Sequence, residues 1–293
     1  MFFLLGSIIL SSYLTLAFKV CQQYGINIFQ AIVFNYITCV VTGSIFNGAL
    51  PFTAENLQSD WIGWAMVMGA MFIFLFNIIG FTAQKMGVAV ASVSNKLSLV
   101  IPFLFSLYLY GEKATWLKIA GIAIALVSVV LTCYPSSKTD GPDQGKKGMG
   151  IFLFPVILFI GSGFLDTLIK YAESQFLNES NKNAYLIMGF AVASCIGLVM
   201  LLVQLVLKKT KLQPKALVAG ILIGIPNYFS IWCLVRVLKD YGANSSAIIP
   251  INNMGIVLFS AVMAWLLFKE KLSSINWMGI VLALGAIALI AFG

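Results

Sequence analysis

Three consecutive polar residues, Ser94-Asn95-Lys96, interrupt an apolar run, Val88 to Tyr110, that is otherwise long enough to cross a bilayer. Lys96 lies about eight residues into that run, roughly 12 Å below its start at the helical rise per residue. A lysine at such a depth costs about 2.5–3.5 kcal/mol on insertion scales. Two roles compete for it. It can snorkel its alkyl stem toward the interface or pair within the protein. Alternatively, it can serve as a cationic anchor for a carboxylate or phosphate in a central cavity. Ser94 and Asn95 favour the second role, because three polar residues in a row cannot all face lipid.

A second polar pair, Asn252-Asn253, follows Pro250 in a later apolar run. The proline removes one backbone donor and exposes a carbonyl. These amides either line the same cavity or hold helices together, at about 0.6–2 kcal/mol each. Asn227 and Tyr228 follow Pro226 in another run, which predicts a kinked helix whose polar groups are either satisfied internally or face the cavity as candidate solute-binding residues. Asp166 is an intramembrane carboxylate with Lys170 one turn later. It can titrate as a proton-coupling group or pair with Lys170 at i,i+4. Ser11, Ser12, Thr15, Asn35 and Asn77 could line the same cavity or act as interhelical contacts, and Arg236 reads as an interfacial anchor.

These residues need a membrane scaffold to position them. The chain has 293 residues, 60% hydrophobic and 10% charged, against about 25% charged in a soluble domain. Ten apolar runs are expected as spans, at about 2–20, 26–46, 61–83, 88–110, 114–134, 149–171, 184–207, 216–238, 243–268 and 275–292. No stretch between them is long enough for a soluble domain. The predicted fold is therefore an all-α membrane protein of ten transmembrane helices. Residues 135–148, PSSKTDGPDQGKKG, are the most polar and turn-rich stretch and read as a linker between residues 1–134 and 149–293.

The two halves are related. GEKATWLKIAGIAIALVSVVLTCY from Gly111 lies over KEKLSSINWMGIVLALGAIALIAF from Lys269. This aligns Glu112 with Glu270, Lys113 with Lys271, Gly121 with Gly279 and, upstream without a gap, Asn95 with Asn253. Weaker matches align Lys19 with Lys170 and Gly87 with Gly242. Five spans per unit is an odd number, so a second copy enters the membrane inverted. Inverted repeats place a solute site near the midplane. Met254 stands where Lys96 does in the first half, which makes the lysine the asymmetric element.

The chain resembles the drug/metabolite transporter superfamily, in its ten-span EamA-like branch. The residues that carry the resemblance are Gly111-Glu112-Lys113 and Lys269-Glu270-Lys271-Leu272, each followed by a glycine-bearing last span. It implies secondary transport of a small polar metabolite such as an amino acid or related organic anion, with export the expected direction. The expected setting is a bacterial inner membrane, in a multi-pass chain that is a monomer or homodimer. Glu112, Lys113, Glu270 and Lys271 are expected to end their helices at the interface rather than to contact solute.

Lysine bias between loops places both termini outside, whereas the resemblance places them inside, so the side stays open. The absence of histidine removes Ser-His-Asp catalysis and histidine-ligated metals. The carboxylates, ten in all, lie mostly in loops or at span ends, which speaks against an intramembrane enzyme acting on lipid-linked substrates. The other alternative, a non-transporting membrane partner subunit, predicts that a polar central cavity is absent. No GxxxxGK[ST] loop is present, so ATP is not hydrolysed by this chain. The net charge of +8 sits mainly in short loops and is a topology signal, not a nucleic-acid footprint. Neither cofactor nor metal is expected, the partners being the solute and the bilayer. The five cysteines lie within or at the ends of apolar runs and are expected as unbridged thiols. The N-terminal run lacks a basic flank and a cleavage site, and is expected as a first span rather than a signal peptide.

Overall fold

The structure is a computed structural model that describes residues 2–110, 115–134, 149–178, 180–240, 245–270 and 272–292. Among these residues there are helices and no strands. The helices are α1 (Phe2–Gln23), α2 (Ile28–Asn47), α3 (Ala54–Leu57), α4 (Ile62–Lys85), α5 (Val88–Lys96), α6 (Val100–Tyr110), α7 (Trp116–Cys133), α8 (Leu153–Phe176), α9 (Lys182–Val206), α10 (Pro214–Asp240), α11 (Ser245–Phe268) and α12 (Ser274–Phe292). Eight spans, with α5 and α6 counted together, are long and apolar enough to cross a membrane. Two shorter apolar helices, Trp116–Thr132 and Ser274–Ile290, stand where the fifth and tenth spans are expected. The protein is an all-helical, multi-pass membrane protein. The linker 135–148 and the Gly111-Glu112-Lys113 and Lys271 positions of the repeated motif lie outside the described residues.

Local chemistry explains several helix ends. Asn27 caps α2 by accepting from the Gln30 N–H at 3.1 Å, and Gly48 closes it in the left-handed region at φ 70°. Thr115 caps α7 through the Lys118 N–H at 3.3 Å. The largest departure from expectation is in the fourth span. It is two helices, α5 and α6, joined by a 3₁₀ turn over Leu97–Leu99. Pro102 lacks an N–H, and its ring crowds the carbonyl four residues back, that of Ser98 at the centre of the turn. The Ser98 hydroxyl donates to the Asn95 carbonyl at 2.5 Å, and so occupies a carbonyl at the broken end of α5.

The described chain forms two compact units, and each takes helices from both sequence halves. The first comprises Met1–Lys19, Ile78–Phe164 and Ser230–Gly293. Its core joins Ala89 and Val93 of α5 and Leu97 of the 3₁₀ turn to Val257 and Ala261 of α11 and to Ala283, Ala286 and Ile287 of α12. Here α7 and α12 run antiparallel in close contact. A Cβ on Gly121 would meet Leu289 and Ile290, and one on Gly279 would meet Leu131 and Thr132. These contacts are reciprocal, since the sequence alignment that matches Gly121 with Gly279 also matches Thr132 with Ile290.

The second unit comprises Val20–Asn77 and Leu165–Phe229. Its core is aromatic: Tyr36, Phe72 and Phe190 lie ring against ring at 5.5–6.3 Å, and the Tyr36 hydroxyl donates to the Phe72 carbonyl at 2.9 Å. The α2–α9 pair is reciprocal in the same sense. Gly43 abuts Ile187, and Gly197 abuts Val33.

Candidate functional site

In the first unit the break in the fourth span faces α11. Ser94 is fully buried, Asn95 and Lys96 are half-buried, and Asn252 and Asn253 are 2% and 8% exposed. The Asn253 Nδ2 donates to the Lys96 main-chain carbonyl at 3.5 Å. Lys96 is the last residue of α5, so the amide of one half engages a main-chain carbonyl at the break of the other. The structure thus brings Asn253 to the main chain of Lys96, next to Asn95, the residue with which the duplication pairs it.

Polar groups around this crossing are incompletely paired. The Ser92, Ser94 and Ser260 hydroxyls and the Asn252 Oδ1 are buried without a hydrogen-bond partner, as is the Ser7 hydroxyl on α1. On α1, the Ser12 hydroxyl donates to the Ile256 carbonyl at 3.4 Å. A buried polar group left unpaired costs about 1–3 kcal/mol, so a concentration of them at one crossing needs a reason. Acceptance of polar solute groups is one such reason.

Asn227, Tyr228 and Asp166 belong to the second unit. Asn227 is buried in α10 and donates from Nδ2 to the Asn35 Oδ1 on α2 at 3.1 Å. The same Asn35 oxygen is approached by the Cys39 thiol at 3.8 Å, and that thiol also meets the Gly224 carbonyl at 3.4 Å. Gly220 and Gly224 allow this approach: a Cβ on Gly224 would lie 2.5 Å from the Thr38 Cβ and 2.7 Å from the Asn35 carbonyl oxygen. Tyr228 is 5% exposed and packs edge-on against Phe46 and Phe229. Asp166 and Lys170 are both exposed on α8. Of the other residues with polar side chains, Asn77 donates to the Ile73 carbonyl of its own helix at 2.7 Å. Arg236 lies over the Trp232 ring at 5.3 Å, as befits an anchor.

One charged cluster was missed in the sequence. Glu270 follows α11, and both of its carboxylate oxygens accept from the Val88 N–H, at 3.1 and 3.2 Å, at the start of α5. Its Oε1 lies 4.0 Å from the Lys19 Nζ. Burial pushes this carboxyl above the usual carboxylate range, against the opposing pull of the Val88 N–H and then Lys19. Gly87, at φ 110°, is a place for glycine on two counts: its backbone conformation, and a Cβ that would sit 2.9 Å from a Glu270 oxygen. The repetition of Glu112 as Glu270 and of Lys19 as Lys170 was the available signal. All five cysteines are unbridged, with Cys195 exposed and Cys21, Cys39 and Cys233 buried.

An uncharacterized protein of Haemophilus influenzae is 26% identical to this chain over 289 residues, which cover 97% of this chain and 95% of its own length. A crystal structure 16% identical in sequence superposes with a TM-score of 0.61, covering 98% of this chain and 94% of that chain, and so shares its fold. Residues 148–292, the whole second half from the end of the linker, match the EamA-like transporter family.

Proposed function

We propose that the protein is a secondary transporter of the drug/metabolite superfamily that moves a small polar metabolite, an amino acid or related organic anion, by alternating access. The observation that carries this reading is the α5–α11 crossing. There a helix breaks inside the apolar layer, a lysine stands at the break, and buried serine and asparagine groups of both halves lack partners. Irregular backbone at membrane depth is tolerated where it is enclosed by protein or lines a cavity, and broken helices build solute sites in inverted-repeat transporters. Lys96 supplies the charge that an anionic group would meet, and Asn95, Ser94, Asn252 and Asn253 supply hydrogen bonds.

Ten spans arranged as two inverted five-span repeats, residues 1–134 and 149–293, complete the proposal. The reciprocal contacts support them: Gly121 with Ile290 against Gly279 with Thr132, and Gly43 with Ile187 against Gly197 with Val33. An 18-residue helix such as α7 rises about 27 Å, close to the hydrocarbon thickness. Asp166 acts as a proton-coupling carboxylate, while Asn227 ties α10 to α2 and Tyr228 packs against Phe46. The direction is export across a bacterial inner membrane, by a monomer or homodimer.

The test is transport by the purified chain in proteoliposomes, using a labelled panel of amino acids, organic acids and phosphorylated metabolites, with and without a pH gradient. Accumulation or counterflow of one anionic or zwitterionic class supports the proposal. If no member of the panel moves and none alters the thermal stability of the protein, the transporter reading fails.

A further inference from the structure

Glu270 is a largely buried ionisable group, its side chain 11% exposed, that the solute site does not use. Four pieces of chain meet around it: the end of α1 through Lys19, the end of α4 through Gln84, the start of α5 through Val88, and the corner between α11 and α12 that carries it. Lys19 Nζ donates to the Gln84 carbonyl at 3.3 Å, and the Gln84 amide donates back to the Phe18 carbonyl at 3.0 Å, so the ends of α1 and α4 are tied beside the carboxylate. No side chain caps α5, and the Val88 N–H is held by Glu270. Eight residues later the same helix ends at Lys96. The carboxylate therefore holds one end of the short helix whose other end carries the polar break.

We infer that Glu270 is a proton-binding latch on α5: the closed corner holds a proton on the carboxyl, and release of that proton favours an opened corner in which the carboxylate is hydrated and the α5 N-terminus is freed. The charge balance is simple. One proton passes between a carboxylate oxygen and water, and the carboxyl retains an oxygen that can accept from the Val88 N–H in either state. The charged group facing Glu270 from α1 is Lys19; α4 presents the uncharged Gln84, with Lys85 exposed; and α5 presents the Val88 and Ala89 amides. On its own corner Glu270 is flanked by Lys269, with Lys271 outside the described residues. One cation at 4.0 Å, the outer edge of ion-pair distance, together with a shared N–H incompletely replaces the water a carboxylate loses. Burial accordingly raises the pKa of Glu270. A carboxyl whose pKa is higher in the closed form takes up a proton on closing. The closed form thus gains stability below that raised value and loses it as pH rises through it.

Hydrogen–deuterium exchange of peptides covering residues 86–96 reads the latch without any solute. It is measured from pH 5 to pH 9 on the full-length protein in nanodiscs and expressed as protection factors, which removes the intrinsic pH dependence. In the wild type, protection of this segment falls severalfold as pH rises. Glu270→Gln, which resembles the protonated form, keeps the low-pH protection throughout. Lys19→Met removes the cation that favours the carboxylate, so its transition moves to higher pH. A wild type whose protection does not change with pH overturns the inference. So does a Glu270→Gln profile identical to a pH-dependent wild type, or a Lys19→Met transition that stays in place. Because no transport is measured, this result stands apart from the fate of the transporter reading.

Discussion

Two buried polar crossings invite comparison, α5 with α11 in the first unit and α2 with α10 in the second. Both carry asparagines on helices from the two sequence halves, and both have a proline nearby. At α2–α10 one amide donates to another, a thiol joins the same oxygen, and two glycines bring the backbones close. Asn227 and Asn35 thereby spend part of their hydrogen-bonding capacity on each other, as interhelical contacts do, and one atom, the Asn35 Nδ2, stays buried without a partner against four groups at the other crossing. At α5–α11 the Asn253 amide meets a main-chain carbonyl at a helix break, at the longer distance of 3.5 Å, while Asn252 and three nearby serines keep unpaired atoms. Buried asparagine alone therefore does not mark a solute site. Incomplete pairing beside an interrupted helix is the more selective sign.

The comparison can be broken by substitution, beginning with the largest effect. Gly224→Val places a side chain against the Thr38 side chain and the Asn35 carbonyl, and overpacking of this kind costs about 3 kcal/mol. Denaturation in detergent would show a correspondingly lower midpoint, and an unchanged one would mean that α2 and α10 are not in close contact. At the other crossing Lys96→Ala should reduce transport about 30-fold, matching about 2 kcal/mol for a lost charged contact, with thermal stability little changed. Asn227→Ala leaves a buried partner unpaired and should cost about 1–2 kcal/mol of stability. Asn35→Leu combined with Asn227→Leu should be less destabilising than the sum of the two single changes, because it removes both partners at once. The smallest effect belongs to Asn253→Ala. It should alter stability by about 0.6 kcal/mol, typical of one interhelical amide, while weakening the apparent affinity for solute.

Much of the fold was legible because the bilayer imposes a length on apolar runs, and the described helices fall within a few residues of the expected spans. The break in the fourth span was not. Hydrophobic length and periodicity do not distinguish a continuous helix from two helices joined by a 3₁₀ turn, although Pro102 carried the signal. The grouping of Asn95 and Asn253 followed from the repeat, but the contact of Asn253 with the Lys96 main chain rather than its side chain needed coordinates. Asn227 pairs with Asn35, 192 residues away, and no local pattern reports such a distance. Glu270 was expected to end its helix, and its amide does donate to the Ala264 carbonyl at 3.4 Å. Its carboxylate instead reaches the start of α5, 182 residues earlier in the chain, a second role set by packing. The compact units also differ from the sequence halves, because α2 pairs with α9, α5 with α11 and α7 with α12, each pair taking one helix from either half.

The most direct test of the central claim compares Lys96→Ala with Asn227→Ala in one proteoliposome counterflow assay, at matched protein content and at a temperature where both variants are folded. The account predicts a large loss of counterflow for Lys96→Ala and near wild-type counterflow, within about threefold, for Asn227→Ala. Wild-type counterflow by Lys96→Ala, or the reverse ranking of the two variants, would contradict it.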